Sequence, residues 1–157
     1  TREELAAVGI SVIDNSRVFV DADRRLGTIA GTGGICLAGV GDLWEDTVDL
    51  DAALADVPPA MPRILLSHNP DIAEQSSVKS RHHRVDLIVS GHTHGGQVRL
   101  PFIGTPVVPS DYGQKYAHGL VKGPACPVHI CAGIGMALLP VRFGVPPEIA
   151  VIRLVPA

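Results

Sequence analysis

Charge is scarce in this chain. Asp, Glu, Lys and Arg make up 18% of its 157 residues, and 13 cations against 16 acids leave a net −3. That balance excludes a general nucleic-acid binder, which needs a basic field. Aromatic residues are thin as well, at 4%. Long apolar runs are missing: "RILLS" and "VDLIVS" fall far short of the ~20 residues that span a bilayer. Three cysteines, Cys36, Cys126 and Cys131, form no C-x-x-C pair, and their odd number argues against a disulfide framework. Each lies in or beside an apolar run and reads as a small buried hydrophobe. No leader-like segment opens the chain at Thr1. The compartment stays open, cytoplasmic or membrane-peripheral.

What is present is aliphatic and punctuated. Hydrophobic residues reach 46%, with 17 Gly and 13 Pro, which marks a folded domain rather than a disordered one. The length suits one domain with its own core, taken here as residues 1–157. Residues 2–8 read as a helix closed by Gly9. "ISVI", "VFV", "LGTIAGT" and "ICLAGV" read as a meander of short strands. "DLDAALADV" reads as a helix capped by Asp49 or Asp51 and stopped before Pro58 and Pro59. "RILLS" is a strand buried on both faces, and "HNPDIAEQSS" a helix with Pro70 near its start. "RVDLIVS" is the next buried strand. Beyond residue 97, "QVRL", "TPVV", "PVHICAG", "PVRFG" and "PEIAVIRLV" read as short strands. Strand–helix–strand between strand-rich flanks implies an α/β fold on a mixed sheet.

Seven histidines accompany only two tyrosines and one tryptophan, so metal chemistry is worth testing. His68 follows "RILLS" directly, and His92 follows "VDLIVS" with only Gly91 between. If the two strands are parallel neighbours, both imidazoles leave the carboxyl edge of the sheet, where α/β folds place ligands. His94 adds a third. In an extended segment it shares a side with His92, about 6.5–7 Å along the chain. The two could face one ion or two adjacent ions about 3.5–4 Å apart. Imidazole suits Zn, Mn, Fe or Ni. Gly91 lets the chain leave the strand, and Gly95 and Gly96 permit positive φ and close approach of a substrate.

"SHNPD" followed by "SGHTHGGQVRLP" resembles the calcineurin-like metallophosphoesterases. The likeness is to a bacterial phosphodiesterase branch related to UDP-2,3-diacylglucosamine pyrophosphatases. It extends to "GISVIDN", "LAGVGD", the 109–119 segment and "PVRFGVPPEIAVIRL". The resemblance implies a sandwich of mixed sheets with a β-rich C-terminal part. It also implies hydrolysis of a phosphoester substrate by hydroxide held between two divalent metals (Mn, Fe or Zn). His68 and His92 would bind the second metal and His94 the first. Gly95, Gly96, Gln97 and Lys115 would meet substrate, with Tyr112, Tyr116 and Arg142 at the rim.

The family's earlier motifs are missing. No Asp-x-His occurs, and "GDLWED" at 41–46 has Glu45 where an Asp belongs, so Asp42 reads as a turn residue. The chain is therefore expected to be the C-terminal half of a metallophosphoesterase. It supplies the His and Gly-His-x-His motifs, lacks the bridging carboxylate and the general-acid His, and is inactive alone. Self-association, or pairing with the missing half, is expected. The alternative is a non-catalytic metal-binding or interaction module that keeps the fold. His82 and His83 read as a solvated loop, His118 as a surface or rim residue, and His129 as a strand histidine with a hydrogen bond. Asn69 and Asp71 read as helix caps.

Overall fold

Four parallel strands carry the molecule: β3 (Ile35–Gly39), β4 (Arg63–Leu66), β5 (Leu87–Ser90) and β7 (Pro127–Ile130). The computed structural model describes residues 2–31, 33–80 and 83–155. Antiparallel strands flank the parallel set. β1 (Ser16–Val20) and β2 (Leu26–Gly27) lie on one side and β6 (Gly119–Lys122) on the other, giving one seven-stranded sheet in the order β2-β1-β3-β4-β5-β7-β6. Helix α1 (Arg2–Ala7) precedes β1 and is exposed throughout; Gly9 ends it at φ 79, its N–H bonding Ala6 O. The α/β mixed sheet is the one the sequence implies.

Register explains the core. In parallel neighbours, paired residues point to the same face. Cys36, Ala38, Leu65, Ile88, Val128 and Ile130 line one face and are buried. Helix α2 (Leu50–Leu54), the 3-10 turn Pro70–Glu74 and α3 (Ser76–Lys79) supply Leu50, Ala53, Leu54, Ile72, Ala73 and Val78 to the same cluster. The caps are local. Asp49 accepts from Ala52 N–H at 2.8 Å, and Asn69 accepts from Asp71 N–H at 2.9 Å. Pro70 sits where its missing donor costs nothing.

The opposite face is different. Ile35, Leu37, Leu87, Val89 and His129 are half-exposed there, and Leu66 is 36% exposed. "RILLS" is covered on this face at Ile64, which is buried, but not at Leu66. The described residues supply one sheet, and the second layer of a sandwich is not among them.

Several expected strands do not form. Residues 10–13 are irregular, and "LGTIAGT" contracts to two residues. "QVRL", "TPVV", "PVRFG" and "PEIAVIRLV" form no strands; isolated bridges join Val98 to Phe143 and Leu100 to Gly104. A strand needs a hydrogen-bonding neighbour, and here the sheet edge beside β7 is taken by β6, which the sequence did not flag. Prolines at 101, 106, 109, 140, 146 and 147 remove the donors a ladder would use. The β-rich end is therefore β6 and β7 alone. The expected helix after His68 is a 3-10 turn broken from α3 at Gln75.

Candidate metal-binding edge

β4 and β5 pair in parallel through Leu66 and Val89, so the residues after them emerge at one edge of the sheet. Ser67 N–H bonds Val89 O at 3.1 Å, and Gly91 N–H bonds His68 O at 3.1 Å, carrying the pairing past the strand ends. His68 and His92 are brought together by this register. His92 Nδ1 lies 2.9 Å from His68 Nε2, with the rings edge-to-face at 4.7 Å. Trp44 packs edge-on against His92 at 4.5 Å. The sequence carried one hint of this contact, the chain's single tryptophan set in a polar turn. His68 also faces an open cavity of about 460 Å3, shared with Asp14, Asp42, Asp46 and Gly91.

His94 goes elsewhere. The segment is not extended as expected. His92, His94 and Gln97 have φ of 67, 51 and 61, and Gly95 and Gly96 have φ of 62 and 76. The chain coils into a 3-10 turn at His94–Gly96, and His94 Nδ1 lies 3.2 Å from Gly135 O. No group of three or more His, Cys, Asp or Glu among the described residues is close enough to hold a metal. A partial site does fit. Two nitrogens each about 2.1 Å from one ion, at a right angle, are about 3.0 Å apart, close to the His68–His92 spacing. His92 Nε2 is buried without a partner, while burial first, and then the neighbouring His68, push the His92 pKa down. Neutral imidazole is the form that ligates.

The glycines have a reason inside the protein. A Cβ on Gly96 would come within 1.7 Å of Thr105 Cγ2, and one on Gly95 within 2.6 Å of Val145 Cγ1. The space they leave is filled by Thr105 and Val145. Gln97 is also engaged, donating to Leu139 O at 3.2 Å and accepting from Ala137 N–H. Arg142 donates to the carbonyls of Ala132, Gly135, Val145 and Pro146. His94, Gln97 and Arg142 together staple the 132–146 loop over the histidine turn.

Lys115 lies away from this loop. Its Nζ sits 2.5 Å from Glu74 Oε1 and 4.8 Å from the Tyr116 ring centroid. The hydroxyl of Tyr116, a fully buried residue, donates to the same oxygen at 2.7 Å. Asp71 accepts from Ser110 Oγ at 2.6 Å and Asp111 N–H at 2.8 Å. So Asn69 caps as expected, while Asp71 ties the 110–111 segment to the turn after His68. Asp42 is a turn residue, accepting from Trp44 and Glu45 N–H. Asn15, in the turn before β1, accepts from Gly41 and Asp49 N–H and donates to Thr47 O, fixing the loop that carries Trp44.

The remaining histidines divide. His118 is exposed and pairs with Glu148 at 2.9 Å beside a cavity of about 390 Å3. The N–H of Ala132 first, against the opposing effect of burial, and then His118 hold the Glu148 pKa below the usual carboxylate range. His129 is half-buried as expected, but its Nδ1 has no hydrogen-bond partner. His83 pairs with Asp51 at 2.6 Å, and His82 lies outside the described residues. Cys36 and Cys126 are buried, Cys131 is half-buried, and none of the three is in a disulfide.

No protein-family model matches the chain, and no solved structure matches it. Curated relatives do. The phosphodiesterase YaeI of Escherichia coli is 32% identical over 157 residues, 98% of this chain and 50% of that protein. The uncharacterized metallophosphoesterase YkuE of Bacillus subtilis is 37% identical over 118 residues, 75% of this chain and 40% of that protein. The UDP-2,3-diacylglucosamine pyrophosphatase LpxG of Chlamydia trachomatis is 31% identical over 151 residues, 92% of this chain and 44% of that protein. The chain spans about half the length, or less, of these relatives. With its mixed sheet and paired edge histidines, it belongs to the calcineurin-like metallophosphoesterase family.

Proposed function

We propose that this chain is the C-terminal portion of a metal-dependent phosphoester hydrolase of the phosphodiesterase type. The pairing of His68 Nε2 with His92 Nδ1 at the carboxyl edge of parallel strands carries the reading. Those two nitrogens would hold one divalent ion, and His94, once released from Gly135 O, would hold a second. Mn, Fe or Zn in such a site supplies Lewis acidity and a nucleophile active near neutral pH. The protein's own part is positional. Burial keeps His92 neutral, Trp44 fixes its ring, and the staples of Gln97 and Arg142 hold the loop beside it. Gly95 and Gly96, packed under Val145 and Thr105, and Gln97 would shape the loop beside the phosphoester, while Lys115 would hold the turn after His68 through Glu74.

Two imidazoles are neutral ligands and cannot by themselves hold two cations close. The bridging carboxylate, and a histidine to protonate the leaving group, would come from chain preceding Thr1. The half-exposed apolar face of the sheet supports this, because such a face needs a second layer. Without those groups the chain is expected to show little turnover. The test compares this chain with its longest natural form, using bis-p-nitrophenyl phosphate and Mn²⁺. Activity only in the longer form, abolished by His92→Ala, is expected. Robust turnover by the 157-residue chain would sink the division of the site. A longer form that is inactive, with no acidic or histidine ligands in it, would favour a non-catalytic module.

A further inference from the structure

The backbone pairing that brings His68 and His92 together ends early. Its last bond is Gly91 N–H to His68 O at 3.1 Å, and among the described residues no backbone bond joins residues 69–75 to residues 92–97. His92 then takes φ 67, left-handed backbone that costs energy in any residue with a Cβ. Such a conformation persists only where its surroundings hold it. The support comes from a third segment. Thr93, buried beside His92, donates its hydroxyl to Ala117 O at 2.8 Å. At its other end the same segment reaches the turn after His68. Both oxygens of the buried Asp71 carboxylate are taken there, one by Ser110 Oγ at 2.6 Å and one by Asp111 N–H at 2.8 Å. Between these ends, Lys115 and the buried Tyr116 hold Glu74.

Residues 110–117 are thus bonded to both histidine-bearing turns, which share no backbone bond beyond Gly91. The segment is tied along its length as well. Tyr112 N–H bonds Ser110 Oγ at 3.1 Å, and the 3-10 turn Gly113–Tyr116 is closed by Ala117 N–H to Gln114 O at 3.3 Å. The bonds to the Asp71 carboxylate are charge-assisted and stronger than the neutral hydroxyl bond at Thr93. The Thr93 end is therefore the one that a single substitution releases.

We propose that residues 110–117 form a brace that sets the spacing of His68 and His92, with Thr93 and Asp71 as its positioning residues. Without the Thr93 bond, His92 relaxes to negative φ and its imidazole leaves His68. The consequence for metal affinity rests on the hydrolase reading, whereas the imidazole pair itself does not. The test uses the longest natural form of the protein, isotope-labelled and free of metal. Magnetic coupling across the hydrogen bond between His92 Nδ1 and His68 Nε2 reports the pair directly. It is expected in the wild type, lost in Thr93→Val, weakened in Ser110→Ala and restored in Thr93→Ser, which returns the hydroxyl. Phe19→Leu loosens the core at β1, two strands from β4, and is expected to leave the coupling intact. Co²⁺ affinity, read from visible absorption, is expected to fall about tenfold in Thr93→Val and to recover in Thr93→Ser. No coupling in the wild type, or coupling that survives Thr93→Val, overturns the brace. Loss in Phe19→Leu equal to that in Thr93→Val also overturns it, because the pair would then follow stability alone. If the coupling behaves as expected while His68→Ala and His92→Ala leave Co²⁺ binding unchanged, the brace stands and the metal reading of the pair is sunk instead.

Discussion

Replacing Tyr116 with Phe removes one oxygen from the tie between the 109–117 segment and the turn after His68. The Tyr116 side chain is fully buried, and its hydroxyl donates to Glu74 at 2.7 Å. Glu74 is also held by Lys115 at 2.5 Å and Lys79 at 3.7 Å. A hydrogen bond to a charged group contributes about 1.5–3 kcal/mol. With a urea m-value of about 2 kcal/mol per M, Tyr116→Phe should lower the unfolding midpoint by about 1 M at pH 7. The pH dependence has a definite sign. Burial of Glu74 opposes ionisation, but the bonds from Lys115 and Tyr116 outweigh it and leave the pKa below the ordinary value of 4.5. The contribution is therefore full above that value and lost as pH falls through the lower, folded pKa. Urea melts followed by circular dichroism from pH 7 down to 3 would show the gap between variant and wild type narrowing as Glu74 protonates. A shift under about 0.3 M at pH 7, or one that grows on acidification, would refute the account of this tie.

Gly96→Ala should cost about 2–4 kcal/mol, since left-handed backbone and overlap with Thr105 add; a melting temperature within 1–2 °C of wild type, where such a cost predicts several degrees, would contradict the packing at this loop. Asp49→Ala should cost about 1 kcal/mol through loss of the α2 cap, read from the same melts. Arg142→Ala should raise amide exchange across 132–146 at least tenfold, because four carbonyls lose their donor; unchanged exchange there would show that the loop is held by other contacts. Zn²⁺ or Mn²⁺ bound by the wild type should fall with His68→Ala and with His92→Ala, and less with His94→Ala. Equal loss from all three would mean that His94 already joins the pair.

Much of the fold was legible because it depends on local signals. Apolar runs of strand length bounded by Gly, Pro and His placed β3, β4, β5 and β7. Short-range caps placed α2 and the turn at Pro70. Where a strand depends on a distant partner, the reading failed. "PEIAVIRLV" has strand composition but no neighbour to pair with, while β6 forms in the less conspicuous "GLVK" because β7 offers it an edge. The candidate site divides in the same way. The order strand–His, helical turn, strand–Gly–His brings His68 and His92 to one edge if the two strands are parallel neighbours, and they are. Backbone conformation after His92 is not written in that order. A coil of left-handed residues, set by Thr105 and Val145 filling the glycine positions, turns His94 toward Gly135 instead of toward its partners. The partners of Gln97 and Lys115 lie 40 to 42 residues away, and those of Arg142 3 to 10 residues away, among loops with no periodic pattern, so packing of these loops decided that the three hold the structure together. The sequence by itself determined the family and set His68 and His92 directly after two apolar strands, because short motifs fix both. Only the tertiary structure decided which imidazoles meet and which surfaces stay open, because those depend on how distant segments pack.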